Sequence, residues 1–151
     1  MPTFNSNTQP SLVCQYPAAA ADTAIHWFSQ RLMLETDCSD VHSALQAGAN
    51  DFVLLDVRAS SNYAAGHVPG AVSLPHRQIS ETTLASLPPH RLLVVYCAGP
   101  HCNGADQAAL KIARLGYPVK IMIGGIQGYV DEGFVLSEPG VLWDGPVQCG
   151  C

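Results

Sequence analysis

Two short unbroken apolar runs, Phe52 to Leu55 and Leu92 to Tyr96, are separated by segments with helical spacing, and this alternation constrains the fold more than any other feature. Runs this short and this continuously apolar suit neither a surface helix nor a half-exposed strand. They predict strands buried on both faces, as in a parallel sheet covered by helices. Val119 to Ile123 predicts another strand, broken by Gly124-Gly125, while Met33 to Thr36 and Ala71 to Leu74 are shorter candidates. Between them, Asp37 reads as an N-cap for a helix carrying Val41, Ala44 and Leu45 and closed by Gly48. Ser61 to Gly66 predicts a helical turn or two, and Ser80 to Leu87 a helix stopped by Pro88-Pro89. Ala105 to Leu115 predicts a helix with Gly116 behind it. Pro17 to Leu32 places Ala21, Ile25, Phe28 and Leu32 at amphipathic spacing. The expected fold is α/β and three-layered, a mostly parallel sheet of about five strands with helices on both faces.

At 151 residues the chain reads as one domain. A formal charge of −5 with no basic stripe argues against nucleic acid and anionic membranes as partners. Met1 to Pro10 lacks the basic start and apolar core of a secretory signal, and no apolar run reaches bilayer length, so the expected compartment is the cytoplasm. In that setting Cys14, Cys38, Cys97, Cys102, Cys149 and Cys151 read as reduced thiols, metal ligands or redox groups before they read as a disulfide framework.

Cys97 is the candidate nucleophile. It follows the Leu92 to Tyr96 strand and opens a loop, Ala98, Gly99, Pro100, His101, Cys102 and Asn103, that leads into a helix. Loop amides and the helix N-terminus there favour an anion, and the expectation is that they hold Cys97 as thiolate. His101 either brings positive charge to the loop or is an exposed loop residue. Cys102 reads as a small filler, as a thiol that resolves an oxidised or persulfidated Cys97, or as a metal ligand. Asp56 and Arg58, two apart on a strand, share a side and read mainly as architecture, with Arg58 also a candidate contributor to the pocket. His67, beside Pro69-Gly70, reads as a turn-holding residue more than a base. Cys149 and Cys151 could accept sulfur, exchange disulfides or bind a soft metal; alternatively the tail docks through Trp143. Gly124, Gly125 and Gly128 do not match a dinucleotide fingerprint and are expected to let the chain turn beneath the Cys97 loop.

Asp56-Val57-Arg58, Tyr63-x-x-x-His67-x-Pro69-Gly70-Ala71, Cys97 after an apolar strand, and Gly124-Gly125-Ile126-Gln127-Gly128-Tyr129 occur in one order that resembles the single-domain rhodaneses. The resemblance divides the chain into an extension, 1–36, whose helix packs on the domain; a rhodanese-like domain, 37–136; and a tail, 137–151, with the Cys-Gly-Cys end. It implies a sulfurtransferase without cofactor or metal, in which Cys97 becomes a persulfide and residues 98–103 form the substrate loop. The implied partners are a small sulfur-containing anion such as thiosulfate, or a low-molecular-weight persulfide, and a thiophilic acceptor, either cyanide, a thiol or a protein. Many thiosulfate-using relatives place a cation where this loop has Cys102, and Arg58, His101 or the helix dipole could substitute for it in part. The alternative is a non-catalytic or redox-sensing module built on the Cys97/Cys102 pair.

Overall fold

The computed structural model of the chain describes residues 9–137. Five strands form one sheet: β1 (Glu35–Thr36), β2 (Phe52–Asp56), β3 (Val72–Ser73), β4 (Leu92–Tyr96) and β5 (Val119–Met122). Their order is β1-β5-β4-β2-β3, and every pairing is parallel. The helices are α1 (Ala21–Leu34), α2 (Cys38–Gln46), α3 (Ser60–Ala65), α4 (Glu81–Ala85), α5 (Gly104–Arg114) and α6 (Gly125–Asp131). The described chain divides into two compact units between Arg31 and Leu32. The first carries a 3-10 turn at Leu12–Cys14 and most of α1, with Asp22 in the first helical turn and Arg31 in the last, each at the end the helix dipole favours.

The second unit holds the sheet. Along β2 and β4 the side chains alternate between two apolar layers, as the pleat requires. Val53, Leu55, Leu93 and Val95 pack with Leu84 of α4 and with Ala108 and Ile112 of α5. Leu54, Val94 and Tyr96 pack on the opposite face with Val41 of α2 and with Ile126 and Tyr129 of α6. Burial on both faces is why these strands read as unbroken apolar runs. Asp37 caps α2 by accepting from the Asp40 amide at 2.8 Å, and Ser80 and Thr83 form a reciprocal capping box on α4.

Two boundaries differ from expectation. Helix α1 continues through Leu34, leaving β1 only Glu35–Thr36, because Met33 and Leu34 are good helix formers and nothing before Glu35 breaks the helix. The segment expected only to turn at Gly124-Gly125 goes on to form α6 despite its glycines, since its face carrying Ile126 and Tyr129 is fully buried. Among the described residues no helix is long and apolar enough to cross a membrane.

Candidate active site

Strand β4 delivers Cys97 to the carboxyl edge of the sheet, where the chain loops through Ala98 to Asn103 before α5 begins at Gly104. A cavity of about 540 Å³ opens there, lined by Cys97, Cys102, Cys38 and the Gly124-Gly125 turn among others. The loop is held from below by α6. The Ile126 amide donates to the Cys97 carbonyl at 3.0 Å and the Gln127 amide to the Ala98 carbonyl at 2.9 Å. This approach requires glycine at 125, where φ is +58° and a Cβ would lie 2.5 Å from the Cys97 carbonyl oxygen and 2.8 Å from the Gly99 nitrogen. The expected role of the glycine pair beneath the loop is therefore what the geometry requires. A turn closes the loop itself, the Cys102 amide donating to the Gly99 carbonyl at 3.0 Å.

The two loop thiols touch. Cys97 Sγ lies 2.9 Å from Cys102 Sγ, and the Gly104 amide at the start of α5 points to Cys102 Sγ at 3.5 Å. Cys97 is 2 % exposed. Burial pushes its thiol up to about 12, the hydrogen bond to Cys102 and the charges of Cys102 and Asp56 push the same way, and the Ala98 amide opposes them without prevailing. This corrects the expectation of a thiolate held by loop amides. The carbonyls of Cys97 and Ala98 face the α6 amides, and the sulfur sits in an apolar layer beside another sulfur, where the charged form is disfavoured.

Arg58 does not line the cavity, although its charge acts on Cys97. Its Nε donates to Asp56 Oδ1 at 3.0 Å, its Nη2 to Asp56 Oδ2 at 2.6 Å and to the Gly66 carbonyl at 2.7 Å. Tyr96 joins the pair, its hydroxyl donating to Asp56 Oδ2 at 2.7 Å and accepting from the Val68 amide at 3.1 Å. Burial pulls the Arg58 guanidinium down, but the hydrogen bonds and charge of Asp56 outweigh it and leave it raised. The i, i+2 spacing indicated a shared side; the third member, Tyr96, was hidden because its hydroxyl lies in what reads as an apolar strand.

His67 Nδ1 lies 2.9 Å from the Tyr63 carbonyl and 3.1 Å from Ser137 Oγ, and its ring stacks on Tyr63. These contacts tie the turn after α3 to the end of the described chain. His101 is exposed, folded over Gly99, where a Cβ would meet its ring at 3.2 Å. Pro100 and Gly99 line the cavity, Ala98 is fully buried, and Asn103 precedes α5, its Oδ1 accepting from Gln107 Nε2 at 2.8 Å. Cys149, Cys151 and Trp143 lie outside the described residues. No group of three or more His, Cys, Asp or Glu among the described residues is arranged to hold a metal ion.

Sequence reasoning missed Cys38. Its Sγ faces the Ile123 carbonyl at 3.4 Å and the Gly125 carbonyl at 3.5 Å, and a Cβ at Gly128 would come within 3.3 Å of it. Burial first, then the charges of Asp37, Glu132 and Asp131, push this thiol up to about 11. A protonated donor to two carbonyls fastens α2 to the Gly124-Gly125 turn. Only the parallel sheet, which sets β1 beside β5, brings it there.

Comparison with known proteins agrees with this architecture. The family model described as Rhodanese-like domain matches residues 37–132. The crystal structure of a Bacillus halodurans protein is similar with a TM-score of 0.76 and 35 % identity, over 78 % of this chain and 86 % of that one. The solution structure of the rhodanese-like domain of an Anabaena protein is similar with a TM-score of 0.60 and 27 % identity, over 76 % and 90 %. A Mycobacterium tuberculosis protein named as an HTH-type transcriptional regulator is 38 % identical over 91 residues, which is 60 % of this chain and 39 % of that protein. The chain thus spans about two fifths of that curated relative's length.

Proposed function

The chain belongs to the rhodanese-like domain family, and from that premise we propose that it is a sulfurtransferase working through a persulfide on Cys97. The observation that carries the proposal is the placement of Cys97 Sγ on a cavity at the carboxyl edge of a parallel sheet, under a loop whose backbone is fixed by α6. In the first half-reaction the Cys97 thiolate attacks the outer sulfur of the donor. For thiosulfate the sulfur–sulfur bond breaks and sulfite leaves; for a persulfide the carrier leaves as its thiolate. In the second, cyanide or an acceptor thiol attacks the outer sulfur, and Cys97 regains its electron pair. Because burial raises the Cys97 thiol, only a small fraction is thiolate near neutrality, and loading speeds up as pH rises.

The test is cyanolysis by the wild type and by Cys97→Ser, with thiosulfate and with low-molecular-weight persulfides, alongside intact mass. Thiocyanate formation and a mass gain of one sulfur atom in the wild type only are expected. No thiocyanate and no added sulfur with any donor would end the proposal.

The 2.9 Å Cys97–Cys102 contact favours a second reading, a redox-gated or sensing module. Attack of the Cys102 thiolate on Cys97 Sγ in the persulfide would form the Cys97–Cys102 disulfide and expel hydrosulfide, and an external dithiol would be needed to reopen it. That a transcriptional regulator contains a segment similar to this chain supports a sensing role. Peptide mapping after treatment with a persulfide decides between them: a Cys97–Cys102 disulfide supports gating, and a stable Cys97 persulfide with Cys102 still reduced supports transfer.

A further inference from the structure

We propose that the acidic rim of the Cys97 cavity makes it selective for sulfur donors whose carrier is neutral or positively charged, and disfavours anionic donors such as thiosulfate. The proposal rests on the persulfide reading and names its donor class.

Four carboxylates line the cavity from four different elements: Glu35 in β1, Asp37 at the N-cap of α2, Asp106 in the first turn of α5 and Glu132 at the end of α6. No Lys, Arg or His among the described residues lines it. Arg58, Lys111 and Lys120 hydrogen-bond to groups outside the cavity. Arg58 is held by Asp56 and the Gly66 carbonyl. Lys111 Nζ donates to the His76 carbonyl at 2.8 Å and Lys120 Nζ to the Leu32 carbonyl at 2.9 Å. His101 is folded over Gly99 and does not line the cavity.

The charge of the rim reaches into the cavity. Asp37 and Glu132 both act on Cys38, which shares the cavity with Cys97. The remaining wall includes Ile121, Met122 and Ile123, whose low polarizability concentrates the field. An anion approaching Cys97 therefore meets like charge on several sides, and a dianion meets twice as much. A cationic carrier is drawn in. The step balances without any further reactant: the Cys97 thiolate attacks the outer sulfur of the persulfide, the carrier's sulfur–sulfur bond breaks, and the carrier leaves as a thiolate that takes a proton from water.

The experiment follows Cys97 loading by intact mass, with cysteamine persulfide as cationic donor, glutathione persulfide as anionic donor and thiosulfate as dianion, at low and high salt. The wild type is compared with the triple variant Asp37→Asn, Asp106→Asn, Glu132→Gln; asparagine at 37 keeps the cap on α2. At low salt the wild type should load from the cationic donor at least ~10-fold faster than from the anionic persulfide, a gap typical of electrostatic steering. Salt should shrink the gap as screening sets in, and the triple variant should close most of it, mainly by accelerating the two anionic donors. The salt series uses the unaltered protein, so a variant that folds poorly leaves the proposal testable. Equal loading in the wild type, or a gap that neither salt nor the variant changes, would overturn the selectivity while leaving the persulfide reading intact. Failure of every donor to load Cys97 would remove the persulfide reading and this inference together.

Discussion

The ends of β2 and β4 lie side by side, with Asp56 and Tyr96 as register partners, and they treat buried polar atoms in opposite ways. At the β2 end, Asp56 is fully buried and receives the Arg58 guanidinium, the Arg58 amide and the Tyr96 hydroxyl, while Arg58 also reaches the Gly66 carbonyl. One residue past β4, Cys97 is as deeply buried, but its sulfur is a weak hydrogen-bonding group set against another sulfur. The first arrangement uses strong, directional, charge-assisted bonds to fix the turn carrying His67 and Pro69. The second holds its backbone rigidly and leaves the side chain poised. Rigidity of the loop thus comes from main-chain contacts to α6 and from the ionic network next door, so the thiol is not required to stabilise the fold.

That division predicts separable effects. Cys97→Ser should abolish persulfide loading, with transfer falling by at least ~10³-fold as expected when a nucleophile is removed, while urea unfolding changes little. A large loss of stability would show that the thiol is structural and break the contrast. Arg58→Met should behave in reverse. It strands Asp56 as an uncompensated buried charge and should cost about 3–5 kcal/mol of unfolding free energy, read by urea denaturation, with the residual folded protein still able to load Cys97 at low temperature. If loading vanished while stability held, Arg58 would belong to the pocket after all.

The two ends were also unequally legible. The strands themselves are plain in the sequence because Leu54, Leu55, Val94 and Val95 are buried on both faces and tolerate no polar alternation. The Asp56–Arg58 pair follows from spacing, since alternate residues share a side. Tyr96 and the Gly66 carbonyl do not, because a hydroxyl in an apolar run and a backbone oxygen in a turn leave no periodic trace. Helix α6 is concealed by Gly124, Gly125 and Gly128, whose low helix propensity is overridden by burial of Ile126 and Tyr129. The loop amides were visible as a preference for an anion at Cys97, but desolvation depends on what the fold packs around the sulfur, and it reversed the expected direction. Cys38 and the acidic rim come together only when β1 is laid beside β5.

Gly125→Ala tests how the β4 end is held. The new Cβ would meet the Cys97 carbonyl oxygen at 2.5 Å, and its positive φ disfavours any side chain, so the α6 turn must move. The expected cost is about 1–3 kcal/mol, in the range of strained backbone positions, with slower loading of Cys97 at every pH. A variant of unchanged stability and unchanged rate would mean that the loop is not held from below.

The smallest effect is expected from Cys102→Ala. The thiol of Cys97 is raised from 9.0 to about 12, first by burial and then by Cys102. Since the thiolate is the attacking form, wild-type loading and alkylation should climb with pH through the whole range below about 12. The sign for stability is opposite. Below about pH 9 the thiol is protonated in both folded and unfolded chains; between about 9 and 12 the folded chain alone keeps its proton, so stability falls as pH rises through that window. Removing Cys102 takes away its hydrogen bond and its charge, leaving burial and the charge of Asp56 to hold the proton on. Cys97 alkylation at neutral pH should therefore become several-fold faster in the variant, and its loss of stability, which begins near pH 9 in both proteins because the unfolded thiol sets the onset, should end at lower pH and be smaller in total. Pseudo-first-order alkylation rates across pH, with urea unfolding at the same points, measure both. Identical profiles in wild type and variant would show that the second sulfur, though in contact, does not tune the first.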